Sequence, residues 1–374
     1  MVHQARHLEV VGAGPAGLSA AITARAAGQA VTVYEKRGCV GARFHGDFQG
    51  IENWSTEEDA LAELDRCGLA SGIEAAPVRE LVCFDSHGAA RTLRSAERPI
   101  FYLISRGPAE GSLDTRLARQ VLSAGAVIRY STRRERLDDG IVAEGPHAAD
   151  VIAVGYTFHT DMADGCYGAL SEALAPDGYA YLLVHGGQGT LATCLFTDFH
   201  RERLFLERTV EFFERHAGLR WRQPVAFGGS GNVSPESTLR VSSRLYAGES
   251  AGLQDALFGF GLRYAMLSGH FAARAWLADS PKMYARLWRE RIRGYVRTGI
   301  GNRRVYRWLG EWGRQFVLRH WLDGGNPGRF LRRIYRPTTV KTLLGSWPSQ
   351  RVGSHTCVRE DCDCTWCRCQ SHRS

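Results

Sequence analysis

Gly12-Ala13-Gly14-Pro15-Ala16-Gly17 constrains this chain more than any other stretch. A short apolar run, Leu8 to Val11, precedes it, and a helical stretch, Leu18 to Ala27, follows. Strand, tight glycine turn and helix in that order are the opening of a dinucleotide-binding βαβ unit. Gly12 permits the turn, Gly14 lets backbone approach a pyrophosphate, and Gly17 lets helix and strand pack closely. Pro15 and Ala16 open the helix, whose free N–H groups and dipole favour phosphate charge. The next strand, Ala30 to Tyr34, ends at Glu35, about 20 residues beyond the glycines, where a carboxylate can bind ribose hydroxyls. Lys36 follows directly. The motif alone does not separate NAD from FAD.

The 374 residues are 44% hydrophobic, enough to bury a large core in two domains or one elaborated one. No apolar run reaches the ~18 residues of a membrane span. The first strand begins within the first ten residues, which leaves no room for a secretory signal and predicts a cytoplasmic protein with reduced thiols. Charge is uneven. Lys282 to Lys341 holds 16 Lys or Arg against 3 acids, while the whole chain carries +8. Tryptophans 288, 308, 312 and 321 lie among these charges. Such a pattern suits contact with the anionic inner face of a membrane, and equally a plain solvated helical surface; nucleic acid is not expected as a partner.

Along the chain, helices are expected near Thr56 to Cys67, Thr115 to Ala124 and Glu202 to His216, and throughout most of Leu262 to Leu344. Strands are expected at Arg79 to Phe84, Ile100 to Ser105, Val127 to Ser131 and Val151 to Gly155. Alternating apolar residues predict an antiparallel pair, Tyr179 to Val184 and Leu191 to Phe196, joined at His185-Gly186-Gly187-Gln188-Gly189.

Three further stretches bear on the cofactor: Gly111 to Leu117, the strand after Asp150, and Gly248-Glu249-Ser250-Ala251-Gly252 leading through Phe258-Gly259-Phe260-Gly261 into a helix. With the glycine turn, these make residues 8–276 resemble the flavoprotein monooxygenase-like superfamily, and within it the geranylgeranyl reductase family. The resemblance implies FAD, held at Gly12, Gly14, Gly17 and Glu35. Arg43 falls where the superfamily often places an arginine near the flavin, and Asp114 where it has an acidic residue. Gly248-Glu249 matches a "G-D" pair whose acid binds a ribityl hydroxyl, with Glu replacing Asp here. Gly259, Phe260 and Gly261 match the loop before the last helix, whose N–H groups would face reduced flavin. The implied fold is α/β: a Rossmann-like FAD-binding domain of the GR2 type (1–45, 114–160 and 240–280), a β-sheet substrate domain (46–113 and 161–239), a basic helical region (281–345) and a cysteine-rich tail (346–374).

Reductases of the family carry a "Y-x-W-x-F-P" strand along a lipid cavity. The matching place here keeps Tyr179 and substitutes Tyr181, Leu183 and Val184. The resemblance therefore implies an apolar pocket and reduction of a carbon–carbon double bond in an isoprenoid or related lipid, with NAD(P)H or ferredoxin as electron donor. The alternative is a monooxygenase acting on a small apolar or aromatic substrate. No side chain declares itself as a catalytic acid or base, and His45, His159, His185 and His270 read as structural. Five of the ten cysteines, Cys357, Cys362, Cys364, Cys367 and Cys369, crowd into 13 residues. Thiolates so close suit zinc or an iron–sulfur cluster; a redox dithiol of Cys364 and Cys367, or an incidental tail, are the other readings.

Overall fold

A computed structural model describes residues 6–234, 237–320, 326–346 and, near the C-terminus, Cys364, Thr365 and Cys367. The chain opens with β1 (His7–Val11), α1 (Pro15–Ala26) and β2 (Ala30–Tyr34). Next come β3 (Phe48–Glu52), α2 (Ala60–Arg66), β4 (Ala76–Val78), β5 (Glu80–Phe84), β6 (Ala90–Arg94) and β7 (Phe101–Ser105). Helix α3 (Leu113–Ser123), β8 (Val127–Arg129) and β9 (Gly140–Val142) lead into β10 (Val151–His159), β11 (Gly165–Ala169), β12 (Tyr179–His185) and β13 (Gln188–Leu195). After α4 (Glu202–Ala217), strands β14 (Arg222–Gly231), β15 (Arg240–Val241) and β16 (Arg244–Tyr246) precede five helices: α5 (Leu262–Leu277), α6 (Pro281–Arg291), α7 (Arg293–His320), α8 (Pro327–Tyr335) and α9 (Thr339–Ser346).

Three sheets organise these elements. The first has the order β15-β16-β9-β1-β2-β8 and is parallel apart from the β15–β16 hairpin. Helices α1 and α5 pack against it around Leu8, Val10, Val33, Leu18, Met266 and Ala272, all buried. Gly269 of α5 lies so close to Ala16 that a Cβ would overlap the Ala16 carbonyl. The second sheet, β14-β10-β13-β12-β11-β5-β6, is largely antiparallel. The third is the short β3-β7-β4.

The β12–β13 hairpin forms with Tyr179 opposite Cys194 and His185 opposite Gln188. Gly186 and Gly187 both have positive φ (57° and 75°), as a two-residue turn matched to strand twist requires. Helix α2 starts at Ala60, later than its pattern suggests, because the Asp59 carboxylate accepts from Leu61 N (3.0 Å) and fixes the N-terminus there. One strand changes place. Val151–His159 pairs antiparallel with β13 and β14 in the second sheet, although 114–160 was expected with the cofactor domain. Its long apolar run is that of an interior strand covered on both faces. The neighbour of β1 is instead β9, whose three residues are too few to show a period. Helix α7 is interrupted at Gly310 (φ 59°, ψ −174°), a conformation open to glycine.

Candidate cofactor and substrate site

A cavity of about 1820 Å³ runs from the glycine turn, between the first and second sheets, to the undersides of α7, α8 and α9. A drug-sized pocket is roughly 300–1,000 Å³. The cradle at one end is backbone. Gly12 (φ 100°) donates its N–H to Tyr34 O at 2.8 Å, and a Cβ there would overlap the Ala143 carbonyl. A Cβ on Gly17 would overlap the Gly12 carbonyl. Gly14 differs: a Cβ would meet nothing within 4 Å, because it would point into the cavity. Gly14 caps α1 and Pro15 begins it, so unpaired first-turn N–H groups face the cavity. Glu35 accepts from Ala13 N (3.0 Å) and Arg37 N (2.9 Å), which pins its carboxylate beside the turn. Lys36 lines the same end.

Midway, charged side chains form one wall. Arg43 pairs with Glu249 at 3.4 Å and donates to Ser230 O. Burial pushes the Glu249 carboxyl upward, against the pull of Arg43 and Arg106. Asp114 is buried and receives both Arg106 Nε (2.8 Å) and Nη2 (2.9 Å), together with Gly107 N (3.0 Å). Its carboxylate thus holds Arg106, whose guanidinium lies 4.0 Å over the Phe44 ring. The expected site residues Arg43, Asp114 and Glu249 are therefore brought together, but as a mutually paired cluster. Arg106 was not anticipated; a cation directly after the apolar strand Phe101–Ser105 was the available signal.

The loop before α5 forms the next stretch of wall. Gly248 (φ 63°) starts a short turn packed on Ala16. Asp255 organises residues 255–261: its carboxylate accepts from Leu257 N (3.2 Å), Phe258 N (2.7 Å) and Tyr335 OH (2.8 Å). Burial pushes this carboxyl up to about 6. The Gly259 N–H, expected to face the cofactor, instead donates to Asp255 O at 3.1 Å. Gly261 caps α5, and that helix start remains as the donor end here. Phe260 packs edge-on against Trp54 (ring centroids 4.8 Å apart) and Phe101 (5.8 Å), and Gly50 makes room for it. Below, buried Arg263 ties α5 to β3 and α2 through Glu52 (2.7 Å) and Glu63.

The far end is apolar. Tyr179, Tyr181 and Leu183 share the cavity face of β12, while Ala180, Leu182 and Val184 pack into the opposite core with Phe213 of α4. Tyr179 OH donates to Phe258 O, so this strand also braces the loop 255–261. No hydrogen-bond partner for the Tyr181 hydroxyl exists among the described residues, and burial holds it protonated, its pKa pushed well above the usual phenol value. Phe330, Leu331 and Ile334 of α8 close the chamber from above. Cys83, Cys166 and Cys194 line or flank it, and burial pushes each thiol up to about 12, which removes thiolate chemistry. His270 is remote from the cavity; burial drives its pKa down to about 4 while it bonds Thr23 at 2.8 Å. His185 pairs with Asp164 at 2.7 Å on the surface.

Of the tail cysteines, Cys357, Cys362 and Cys369 lie outside the described residues. Cys364 is buried among Ile152, Leu195, Phe199 and Phe205, with Cys367 packed beside it. No group of three or more His, Cys, Asp or Glu that could hold a metal ion occurs among the described residues.

Residues 10–49 match the family model of the NAD(P)-binding Rossmann-like domain. No curated protein sequence matches significantly. Among solved structures, the chain is similar to a geranylgeranyl bacteriochlorophyll reductase-like protein from Thermoplasma acidophilum, with 19% identity, 91% of this chain and 95% of that one covered, and a TM-score of 0.64. It is equally similar in fold to p-nitrophenol 4-monooxygenase from Pseudomonas putida (15% identity, 92% and 100% covered, TM-score 0.64). A flavin-dependent brominase superposes over 87% of this chain and 94% of its own (15% identity, TM-score 0.62). The glycine-turn segment thus matches a Rossmann-like dinucleotide-binding model, and the overall fold is shared with these three solved structures.

Proposed function

We propose that the protein is an FAD-dependent oxidoreductase that reduces a carbon–carbon double bond in an isoprenoid or related lipid. The observation that carries this reading is the shape and lining of one continuous cavity. It has a backbone cradle with an open Gly14 at one end, an apolar chamber at the other, and volume for a dinucleotide and a long apolar molecule together. The cradle fits FAD: side chain is missing at Gly14 where a pyrophosphate would approach, Glu35 is fixed at the ribose end, and the starts of α1 and α5 aim donors inward.

When bound and reduced, FAD would supply the hydride, with NAD(P)H or ferredoxin refilling it. The chain supplies position and exclusion of water. Arg43 and Arg106 place positive charge beside the middle of the cavity, held by Glu249 and Asp114. Tyr179 and Asp255 fix the loop 255–261 from two sides. Tyr181 offers a protonated hydroxyl to a polar substrate group, and Leu183, Phe330 and Leu331 keep the remainder dry. His45 and buried Asp47 also line the cavity, and in this reading the proton that follows the hydride comes from water or from the cofactor.

Turnover of isoprenoid alkenes and of aromatic substrates, measured with and without oxygen, tests the reading. Anaerobic loss of the alkene supports it. Oxygen consumption matched to a hydroxylated product, with no anaerobic turnover, replaces it with the monooxygenase alternative.

A further inference from the structure

The cavity reaches the surface between α7 and α9. Val305 on α7 and Leu344 on α9 both line it, and both are exposed. The two helices pack along each other where Gly301 and Gly345 remove side chains from the contact: a Cβ on Gly345 would overlap the Arg297 carbonyl. On the same two helices, Trp308 and Trp312 of α7 are 85% and 82% exposed, and Val340 and Leu343 of α9 are exposed as well. Single exposed apolar residues are ordinary, but a cluster of large ones around an opening marks a surface that meets something apolar.

The charge beside the mouth points to its occupant. Lys341 lies on the cavity wall and donates to the carbonyls of Arg333 (2.9 Å) and Ile334 (2.7 Å) at the end of α8. Arg333 and Arg336 are exposed at the same corner. No carboxylate pairs with any of these three among the described residues. Six other arginines of the basic region pair with carboxylates, among them Arg291–Glu63, Arg307–Asp177 and Arg319–Asp85. Positive charge without a carboxylate partner thus stands at the end of α8 and on α9, the helix that carries exposed Val340 and Leu343. Indole rings at headgroup depth and cations beside them are what an anionic bilayer surface selects.

We propose that the α7–α9 face docks on an anionic lipid bilayer, so that the cavity mouth opens into the membrane and an apolar substrate enters without crossing water. This deepens the lipid reading given above and rests on it for the entry step, while the docking stands on the surface itself. No helix is long and apolar enough to cross a membrane among the described residues, so the contact would be peripheral.

Co-sedimentation of the full chain with phosphatidylcholine vesicles, with and without phosphatidylglycerol, tests it. Binding should require phosphatidylglycerol and weaken at high salt. Trp308→Ala with Trp312→Ala should weaken partition about tenfold. Arg333→Gln with Arg336→Gln should lose about fivefold per charge at low salt. Both variants should melt like the wild type and keep its flavin spectrum, since all four side chains are exposed. The docking is overturned by negligible binding to both vesicle types or by variants that bind as the wild type does. It is also overturned if binding appears only after residues 347–374 are removed, or if the tryptophans prove to hold a dimer. Vesicle binding with no alkene turnover would sink the reaction and leave the docking. Turnover of detergent-dispersed alkene with no vesicle binding would do the reverse.

Discussion

The two ends of the cavity are built from different material. At the cradle, main chain makes the surface: Gly12, Gly14 and Gly17, the start of α1, and the turn at Gly248. At the chamber, side chains make it: Tyr179, Tyr181 and Leu183 from β12, Phe101 from β7, Phe330 and Leu331 from α8. A surface made of main chain must omit side chains at fixed places, and each omission has its own reason. Gly12 and Gly17 omit them because protein fills the space; Gly14 omits one with no protein atom within 4 Å. A surface made of side chains tolerates many substitutions of similar volume. The cradle should therefore be strict in kind and the chamber permissive.

The sharpest way to break this contrast is Gly14→Val. Its backbone is extended (φ −82°, ψ 178°), so a β-branched residue is accommodated and the fold should persist. FAD binding, read by the yellow absorbance of reconstituted protein, should vanish while the melting temperature stays within about 2 °C, as for changes that touch no contact. Gly17→Val, by contrast, should unfold the βαβ unit. If Gly14→Val retained flavin, the cradle would not be the pyrophosphate site.

The next largest effect falls on the charged wall between the two ends. Asp114→Ala leaves the Arg106 guanidinium buried without its bidentate partner (side chains 5% and 1% exposed). Stripping one partner from a buried pair costs about 3–5 kcal/mol. Urea midpoints should show a loss of that order. A loss under about 1 kcal/mol would mean that Arg106 is held well enough by its existing bond from Nη1 to Gln49 Oε1 (2.9 Å).

Legibility in the sequence follows the same division. The glycine turn, Glu35 and the β12–β13 hairpin are local, so spacing along the chain reports them. The Arg106–Asp114 pair spans eight residues but joins a strand end to a helix start, and the Arg263–Glu52–Glu63 network and the Tyr335–Asp255 bond join residues 80 to 211 apart. Such contacts have no period to detect. The placement of Val151–His159 failed for a related reason: an apolar run reports burial, not which sheet does the burying. The Gly259 N–H could not be assigned from a motif, because its acceptor is a carbonyl positioned by a buried carboxylate.

That carboxylate gives a pH test of how the two ends are joined. Asp255 has its folded pKa raised to about 6 by burial, above the ~3.9 of an unfolded Asp. Its contribution to stability is therefore fully present below pH ~4 and is lost as pH rises through about 6. The size is on the order of 3 kcal/mol. Asp255→Asn cannot titrate. The stability difference between wild type and this variant should fall from pH 4 to pH 7 in denaturant titrations. A difference that stays constant across that window would show that Asp255 is ionised in the folded state throughout.

The finest comparison lies within β12, between two tyrosines on one face. Tyr179 and Tyr181 have ring centroids 6.2 Å apart, and their hydroxyls do different work. Tyr179 OH donates to Phe258 O in the loop before α5, so Tyr179→Phe removes a buried hydrogen bond and leaves that carbonyl without its donor. The cost should be about 1 kcal/mol, seen as a slightly lower melting temperature and faster flavin loss, because the loop it braces borders the cradle. Tyr181→Phe removes a hydroxyl that bonds no described residue, so stability and flavin retention should stay unchanged within about 0.5 kcal/mol. Its effect should appear as a raised KM for substrates with a polar group near the alkene, and not for pure hydrocarbons. If Tyr181→Phe destabilised the fold as much as Tyr179→Phe, both hydroxyls would be structural. The chamber would then present no polar handle on this strand, and selection there would rest on volume alone.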